Sequence, residues 1–184
     1  MPPRNLLATG NPSSRVVAGL GNHERQYAAS RHNVGARAVE RAARAIGLRP
    51  TAGLNPIPLS RSGIVLPDGF MNDSGGLLRR AVQRWHPSAD HLLVVHDELD
   101  LPLGEVQLKA GGGHGGHNGL RDIIAQLGTP DFRRLRVGVG RPSGGVDPAD
   151  YVLGSFRPEE RVLAEGALAE AEQLVLAFLE SDRV

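Results

Sequence analysis

Apolar residues recur along this chain with two spacings, and the switches between them mark out its elements. Val16-Val17-Ala18-Gly19-Leu20 is a short uninterrupted run between polar residues and predicts a buried strand. From Val34 to Leu48 the spacing becomes helical, with Val34, Ala38, Val39, Ala42, Ala45 and Ile46 on one stripe. Gly47 ends that helix and Pro50 reinforces the stop. Thr51–Pro67 has Pro and Gly at short intervals and supports only brief strands. Ser74–Trp85 reads as a second helix with Asp73 or Ser74 as its N-cap. His91–His96 is a second buried strand, and Glu105–Ala110 alternates as a third. Asn118–Leu127 is a short helix leaving a glycine-rich loop. Leu135–Val139 is a fourth strand, and Pro158–Leu179 is a long Ala/Leu/Glu helix with Pro158 near its first turn.

Strands alternating with helices predict an α/β fold, a single domain with a twisted, mostly parallel mixed sheet and helices on both faces. Met1–Ser14, rich in Pro, Asn and Ser, reads as a flexible N-terminal leader, and residues 15–184 as the domain. In open α/β sheets ligands sit beyond the carboxyl ends of strands. Asn22 and Asp97 are each expected just past such an end.

Composition narrows the setting. With 40% hydrophobic residues the 184-residue chain can bury a core. No apolar run approaches the roughly 18–20 residues needed to span a bilayer, so no membrane association is expected. The absence of cysteine excludes disulfides and thiolate ligands and suits a reducing cytoplasm. The net charge of +1 hides an asymmetry. From Asp147 onward there are nine acids and three bases, a net of −6; the preceding residues carry eighteen bases and eleven acids, a net of +7. A basic body with an acidic C-terminal element fits an anionic partner, although a solvated terminal helix accounts for the charge equally well. Twenty of the 21 bases are Arg, whose guanidinium binds phosphate in a bidentate way.

The polar residues of the loops suggest chemistry. His32 can act as a general base near neutral pH, and Asp97 can orient it and favour its imidazolium form. Asn22, Asn72 and Asn118 offer uncharged donors and acceptors to hold a main chain or an oxyanion. With no cysteine, the expected nucleophile is water. Each residue also has a plainer reading: a strand-end Asp caps turns, and Asn forms turns and caps helices. The glycine loop Gly111–Gly119 lacks a Walker pattern, and Gly19-Leu20-Gly21-Asn22-His23-Glu24 does not complete a dinucleotide fingerprint, so no nucleotide cofactor is expected. A glycine loop opening a helix still presents N–H groups to an anion. Lys109, Arg133, Arg134, Arg136 and Arg141 can form a phosphate rim around it, or can simply point to solvent. His114 and His117, with His96 and Asp97 elsewhere, do not match a known ligand array, and no metal is expected.

Several stretches together resemble the bacterial-type peptidyl-tRNA hydrolase family. They are Gly19-Leu20-Gly21-Asn22, the run Ser30-Arg31-His32-Asn33-Val34-Gly35 with Tyr27 before it, Phe70-Met71-Asn72, and His96-Asp97-Glu98-Leu99-Asp100-Leu101-Pro102. Lys109, Gly111–Leu120, Phe132–Pro142 and Asp147–Leu153 followed by Phe156 complete the match, which covers about residues 15–180. The resemblance implies a monomeric cytoplasmic enzyme of translation and ribosome rescue, cleaving the ester between a peptide and the tRNA 3′ end. It implies no metal or nucleotide cofactor and no obligate protein partner. His32 would be the catalytic base and Asp97 its partner. Asn22, Tyr27, Met71, Asn72 and Asn118 would line the substrate cleft, and Lys109 and Arg136 would touch tRNA phosphate. The chain departs from the family in three places. His23-Glu24 stand where Pro-Gly is usual, Gln107 replaces a base, and the stretch from His32 to Asn72 is shorter. Two rival readings are an RNA-binding protein without catalysis, as in plastid splicing proteins on this scaffold, and a small esterase unrelated to RNA.

Overall fold

A computed structural model describes residues 5–11, 13–49, 56–59 and 61–180. Six strands form one mixed sheet in the order β2-β3-β1-β4-β6-β5. They are β1 (Val16–Gly19), β2 (Ile57–Leu59), β3 (Ser62–Val65), β4 (Leu92–Glu98), β5 (Val106–Ala110) and β6 (Arg133–Gly138). The central strands β3, β1, β4 and β6 run parallel, and the edge strands β2 and β5 are antiparallel to their neighbours. The helices are α1 (Val34–Ala45), α2 (Ser74–Trp85), α3 (Asn118–Leu127), α4 (Pro148–Leu153) and α5 (Arg161–Glu180).

Alternation along the strands builds a core on each face of the sheet. Val17, Leu93, Val95, Leu135 and Val137 pack with α1 and α5, against Ala38, Ala42, Leu168 and Val175. Val16, Ala18, Leu92 and Val94 pack with α2 and α3, against Leu78, Val82, Ile123 and Leu127. The expected α/β architecture with helices on both faces is therefore the one observed.

The differences lie at element boundaries. β4 runs on through Asp97 and Glu98 instead of stopping at His96, because β6 continues beside it, with Asp97 opposite Val137 and Glu98 opposite Gly138. Asp97 thus lies inside a strand, not just past one; Asn22 does lie beyond the end of β1. β6 begins at Arg133, opposite Leu93, two residues before the predicted start. In α1, Ala43 is buried and Ala45 exposed. α1 contacts both the sheet and α5, so its buried arc is wider than a single stripe. Pro158–Glu160 is a separate 3-10 turn ahead of α5. α4 was not anticipated, although Asp147-Pro148 is a helix-start signal: the Asp147 side chain accepts the Ala149 N–H at 2.7 Å. Part of the expected loose leader is packed. Leu7 is buried in the α2–α3 core, and the Leu6 N–H donates to the Leu127 carbonyl.

Candidate active site

His32 lies in a 3-10 turn, Arg31–Asn33, that runs directly into α1. A close approach fixes that turn against the sheet. A Cβ at Gly35 would lie 2.1 Å from the Val95 carbonyl oxygen, so a larger residue would lift the start of α1 away from β4. The Ala36 N–H donates to the Leu20 carbonyl, tying the same turn to the end of β1. Arg31, next to His32, is buried. It pairs with Glu160 at 2.7 Å and lies over the Tyr151 ring at 4.2 Å, which anchors α4 and the turn before α5 beside the site.

One carboxylate oxygen organises the centre. Asp97 Oδ1 accepts from His32 Nδ1 at 2.8 Å and from His117 Nε2 at 2.9 Å. His117 is the N-cap residue of α3, and its Nδ1 accepts the Leu120 N–H. An imidazole nitrogen that accepts an N–H carries no proton, so the His117 proton is on Nε2, facing Asp97. By the same logic an ionised Asp97 can only accept, which puts the His32 proton on Nδ1 and leaves Nε2 with its lone pair. Burial opposes charge on Asp97. The electrostatic attraction of His117 and the hydrogen bonds from His117 and His32 outweigh it and hold the carboxyl well below the ordinary carboxylate range. The neighbouring His96 is pushed down to about 3, first by burial and then by its electrostatic interaction with the adjacent His117.

These groups open on a cavity of about 1030 Å³ whose wall also includes Tyr27, Phe70, Asn72 and Asn118. Asn22 is fixed on several sides. Its Oδ1 accepts the Met71 N–H at 2.8 Å, its N–H donates to Asn33 Oδ1, and its carbonyl accepts from Asn33 Nδ2. With Oδ1 engaged, the Asn22 NH₂ is the part of the side chain left for a ligand. The changed residue His23 holds this loop in its own way, its N–H donating to the Gly69 carbonyl. Asn72, in the 3-10 turn Met71–Asp73 ahead of α2, and Asn118, the first residue of α3, are exposed, while Met71 is buried.

The helices carrying the two amides are locked together. Asp73 occupies the N-cap position of α2 but makes no side-chain cap. The Gly75 N–H donates instead to Asp122 Oδ2 of α3 at 2.7 Å, so neither predicted residue caps α2 by its side chain. The approach is close: a Cβ at Gly75 would lie 2.7 Å from the Asp122 carbonyl oxygen.

The basic rim divides into distinct parts. Lys109 is exposed on the cavity wall. Arg136 is held by Glu98 at 2.8 Å and also donates to Gln107 Oε1, so the unusual Gln107 braces it. Arg134 is not part of an exposed rim. It is buried and donates to the Gly112 and Gly113 carbonyls, holding the glycine loop. Arg133 and Arg141 pair with Asp90 and Asp100.

His32, Asp97 and His117 offer ligand atoms within 4.8 Å of one another. A cation there would have to displace both imidazole protons from Asp97, which already satisfies them. The predicted groups Asn22, Tyr27, His32, Met71, Asn72, Asp97, Lys109, Asn118 and Arg136 all line one cavity. Sequence reasoning passed over His117, which it weighed only as a metal ligand. Its position immediately before a predicted helix start was the available signal. Asn33 and Arg31 were also passed over; each acts through a neighbour, which no spacing reveals.

Comparison with known proteins identifies the family. The family model for peptidyl-tRNA hydrolase matches residues 16–184. The peptidyl-tRNA hydrolase of Anaeromyxobacter dehalogenans is 42% identical over 177 residues, 92% of this chain and 88% of that protein. That of Frankia casuarinae is 43% identical over 176 residues, 90% of this chain and 89% of its own length. The crystal structure of peptidyl-tRNA hydrolase from Acinetobacter baumannii superposes with a TM-score of 0.81 at 33% identity, covering 96% of this chain and 93% of that one. The chain belongs to the peptidyl-tRNA hydrolase family.

Proposed function

We propose that this protein hydrolyses the ester of peptidyl-tRNA with water activated by His32. The observation that carries the reading is the single Asp97 oxygen that fixes His32 through Nδ1, beside a cavity lined by three amides. The reaction then follows from the proton positions. His32 Nε2 takes a proton from water as the water oxygen bonds to the ester carbonyl carbon. Asp97 stabilises the imidazolium that forms. An amide NH₂ from Asn72 or Asn118 donates to the developing oxyanion, and Asn22 holds the peptide main chain. The carbon–oxygen bond to the ribose breaks, and the imidazolium returns its proton to the ribose oxygen. A ribose hydroxyl is a far better leaving group than an amine, so water suffices as the nucleophile.

His117 positions Asp97, presenting its N–H to the same oxygen and anchoring it to the start of α3. Tyr27 and Met71 complete the substrate wall, and Lys109 and Arg136 meet tRNA phosphate. No cofactor enters any step. The enzyme works as a monomer in the cytoplasm.

Two substrates test the reading, an N-acetylated aminoacyl-tRNA and a simple alkyl ester. Hydrolysis of the first alone is expected. His32→Ala should reduce its turnover by about 10²–10⁴ with little change in tRNA binding. Near-normal single-turnover hydrolysis by that variant would remove His32 from the mechanism. Tight tRNA binding with no hydrolysis by the unaltered protein would instead leave an RNA-binding protein without catalysis.

A further inference from the structure

We propose that the exposed face of α2 is a second phosphate-binding surface, which grips the double-stranded part of the tRNA while the 3′ end occupies the cleft. The identity of the RNA rests on the function proposed above. α2 contains three arginines, Arg79, Arg80 and Arg84, and no acidic residue. All three are exposed, as is Arg121 of α3, which lines the wall of the cleft. At helical spacing Arg79, Arg80, Gln83 and Arg84 fall within one arc, opposite the buried Leu78, Ala81, Val82 and Trp85.

Among the described residues none of these four arginines forms an ion pair. Arg79 reaches Gln126 at 3.5 Å, and Arg84 lies over the Trp85 ring at 4.9 Å. The nearby Asp122 is committed to the Gly75 N–H. The other side of the sheet is different: Arg37, Arg41 and Arg44 of α1 are paired with Glu165, Glu172 or Glu40. The same residue type is neutralised on one helical layer and left uncompensated on the other. Arg80 and Arg84 are also four residues apart, a spacing at which like charges destabilise a helix. Fold stability therefore does not call for this arrangement, and an anionic partner relieves it.

RNA fits better than an acidic protein because α2 packs along α3, which carries Arg121 on the wall of the cleft. The axial run from Arg79 to Arg84 is about 7.5 Å at 1.5 Å per residue. Guanidinium groups spread over that length match successive phosphates on a backbone. A short CCA-ended strand would fill the cleft without reaching the stripe, whereas a full tRNA carries its acceptor arm past the mouth.

The test combines Arg79→Gln, Arg80→Gln and Arg84→Gln in one variant. Binding of deacylated tRNA is measured over a range of salt concentrations, alongside hydrolysis of the N-acetylaminoacyl ester on full tRNA and on a short CCA-ended oligonucleotide. Binding to full tRNA should weaken by on the order of tenfold at low salt, and the slope of log affinity against log salt should flatten by about two units. The kcat on full tRNA and both constants on the oligonucleotide should stay unchanged. An unaltered tRNA affinity and salt slope, or equal weakening on both substrates, would overturn the proposal. Because deacylated tRNA binding needs no turnover, failure of the hydrolase reading would show separately, as absent hydrolysis by the unaltered protein.

Discussion

Asp97 concentrates the chemistry of the site in one atom. Its Oδ1 accepts from two imidazoles whose ring centroids are 4.9 Å apart, so a charge on either ring is felt by the other through the same oxygen. Asp97→Asn keeps the shape and an acceptor but removes the charge that favours imidazolium. We expect kcat to fall by about 10² or more, because the imidazolium formed as water attacks loses its counter-charge. A kcat within a few-fold of the unaltered protein's would break the His32–Asp97 pairing. The same residues show what could be read from sequence. His32, Asp97 and the three Asn residues stand out because they are polar residues in or next to the predicted loops at the strand ends. His117 and Asn33 act by holding another residue in place. Each does so across a distance in sequence, 20 residues for His117–Asp97 and 11 for Asn33–Asn22, that periodicity does not encode.

At the scale of elements, four of the five α-helices described, α1, α2, α3 and α5, were legible to within a few residues because their apolar faces follow from burial against the sheet. Strand ends were not, since a ladder continues as long as its neighbour does. β4 carries Asp97 and Glu98 into the sheet only because β6 is there to pair with them. The link between α2 and α3 was equally hidden. Asp122 looks like an ordinary surface acid on α3, yet it takes the place of the missing side-chain cap on α2. It thereby ties the start of α2, next to Asn72, to α3, which begins at Asn118. Asp122→Ala should cost about 1 kcal/mol of stability, as the loss of a cap does, and should lower kcat by more than this loss of folded protein explains. Asp122→Asn retains an acceptor oxygen and should restore most of both. Equal kcat in the alanine variant and the unaltered protein, at a temperature where both are folded, would reduce Asp122 to a structural role. The C-terminus of α2 supplies a contrast: His86 closes it with φ of 49°, where glycine is usual, and no sequence rule points to that choice.

Over the whole molecule, the site's electrostatics feed back on folding, and the sign of that coupling is fixed by His96. This residue is buried in β4, its Nδ1 bonded to the Asp97 carbonyl oxygen at 2.7 Å, and its Nε2 has no partner among the described residues. Protonation would place a charge with an unmatched N–H in the interior, beside His117, which is why its folded-state pKa drops from 6.5 to about 3. A depressed folded pKa means that the unfolded chain takes up the proton first as pH falls. The contribution to stability is therefore complete above about 6.5 and drains away down to about 3, at up to about 1.4 kcal/mol per pH unit. Asp97 acts in the same direction at lower pH. Its carboxyl is held below the ordinary range, so its contribution is present above about 4 and is lost only as the medium becomes more acidic than that. The two windows are separable. Between pH 7 and pH 4.5 the loss belongs chiefly to His96, and we expect it to reach about 2.5 kcal/mol. His96→Gln cannot take up a proton and keeps a donor for the Asp97 carbonyl. It should begin less stable at pH 7, because the amide packs less well in the imidazole's place, and then lose clearly less than the unaltered protein on acidification to pH 4.5. Urea unfolding of both proteins at the two pH values measures the four free energies directly. Parallel losses in the two proteins would show that another group carries the acid sensitivity. A smaller loss in the variant would show that a histidine outside the proposed proton relay makes the fold hold this site together only above weakly acidic pH.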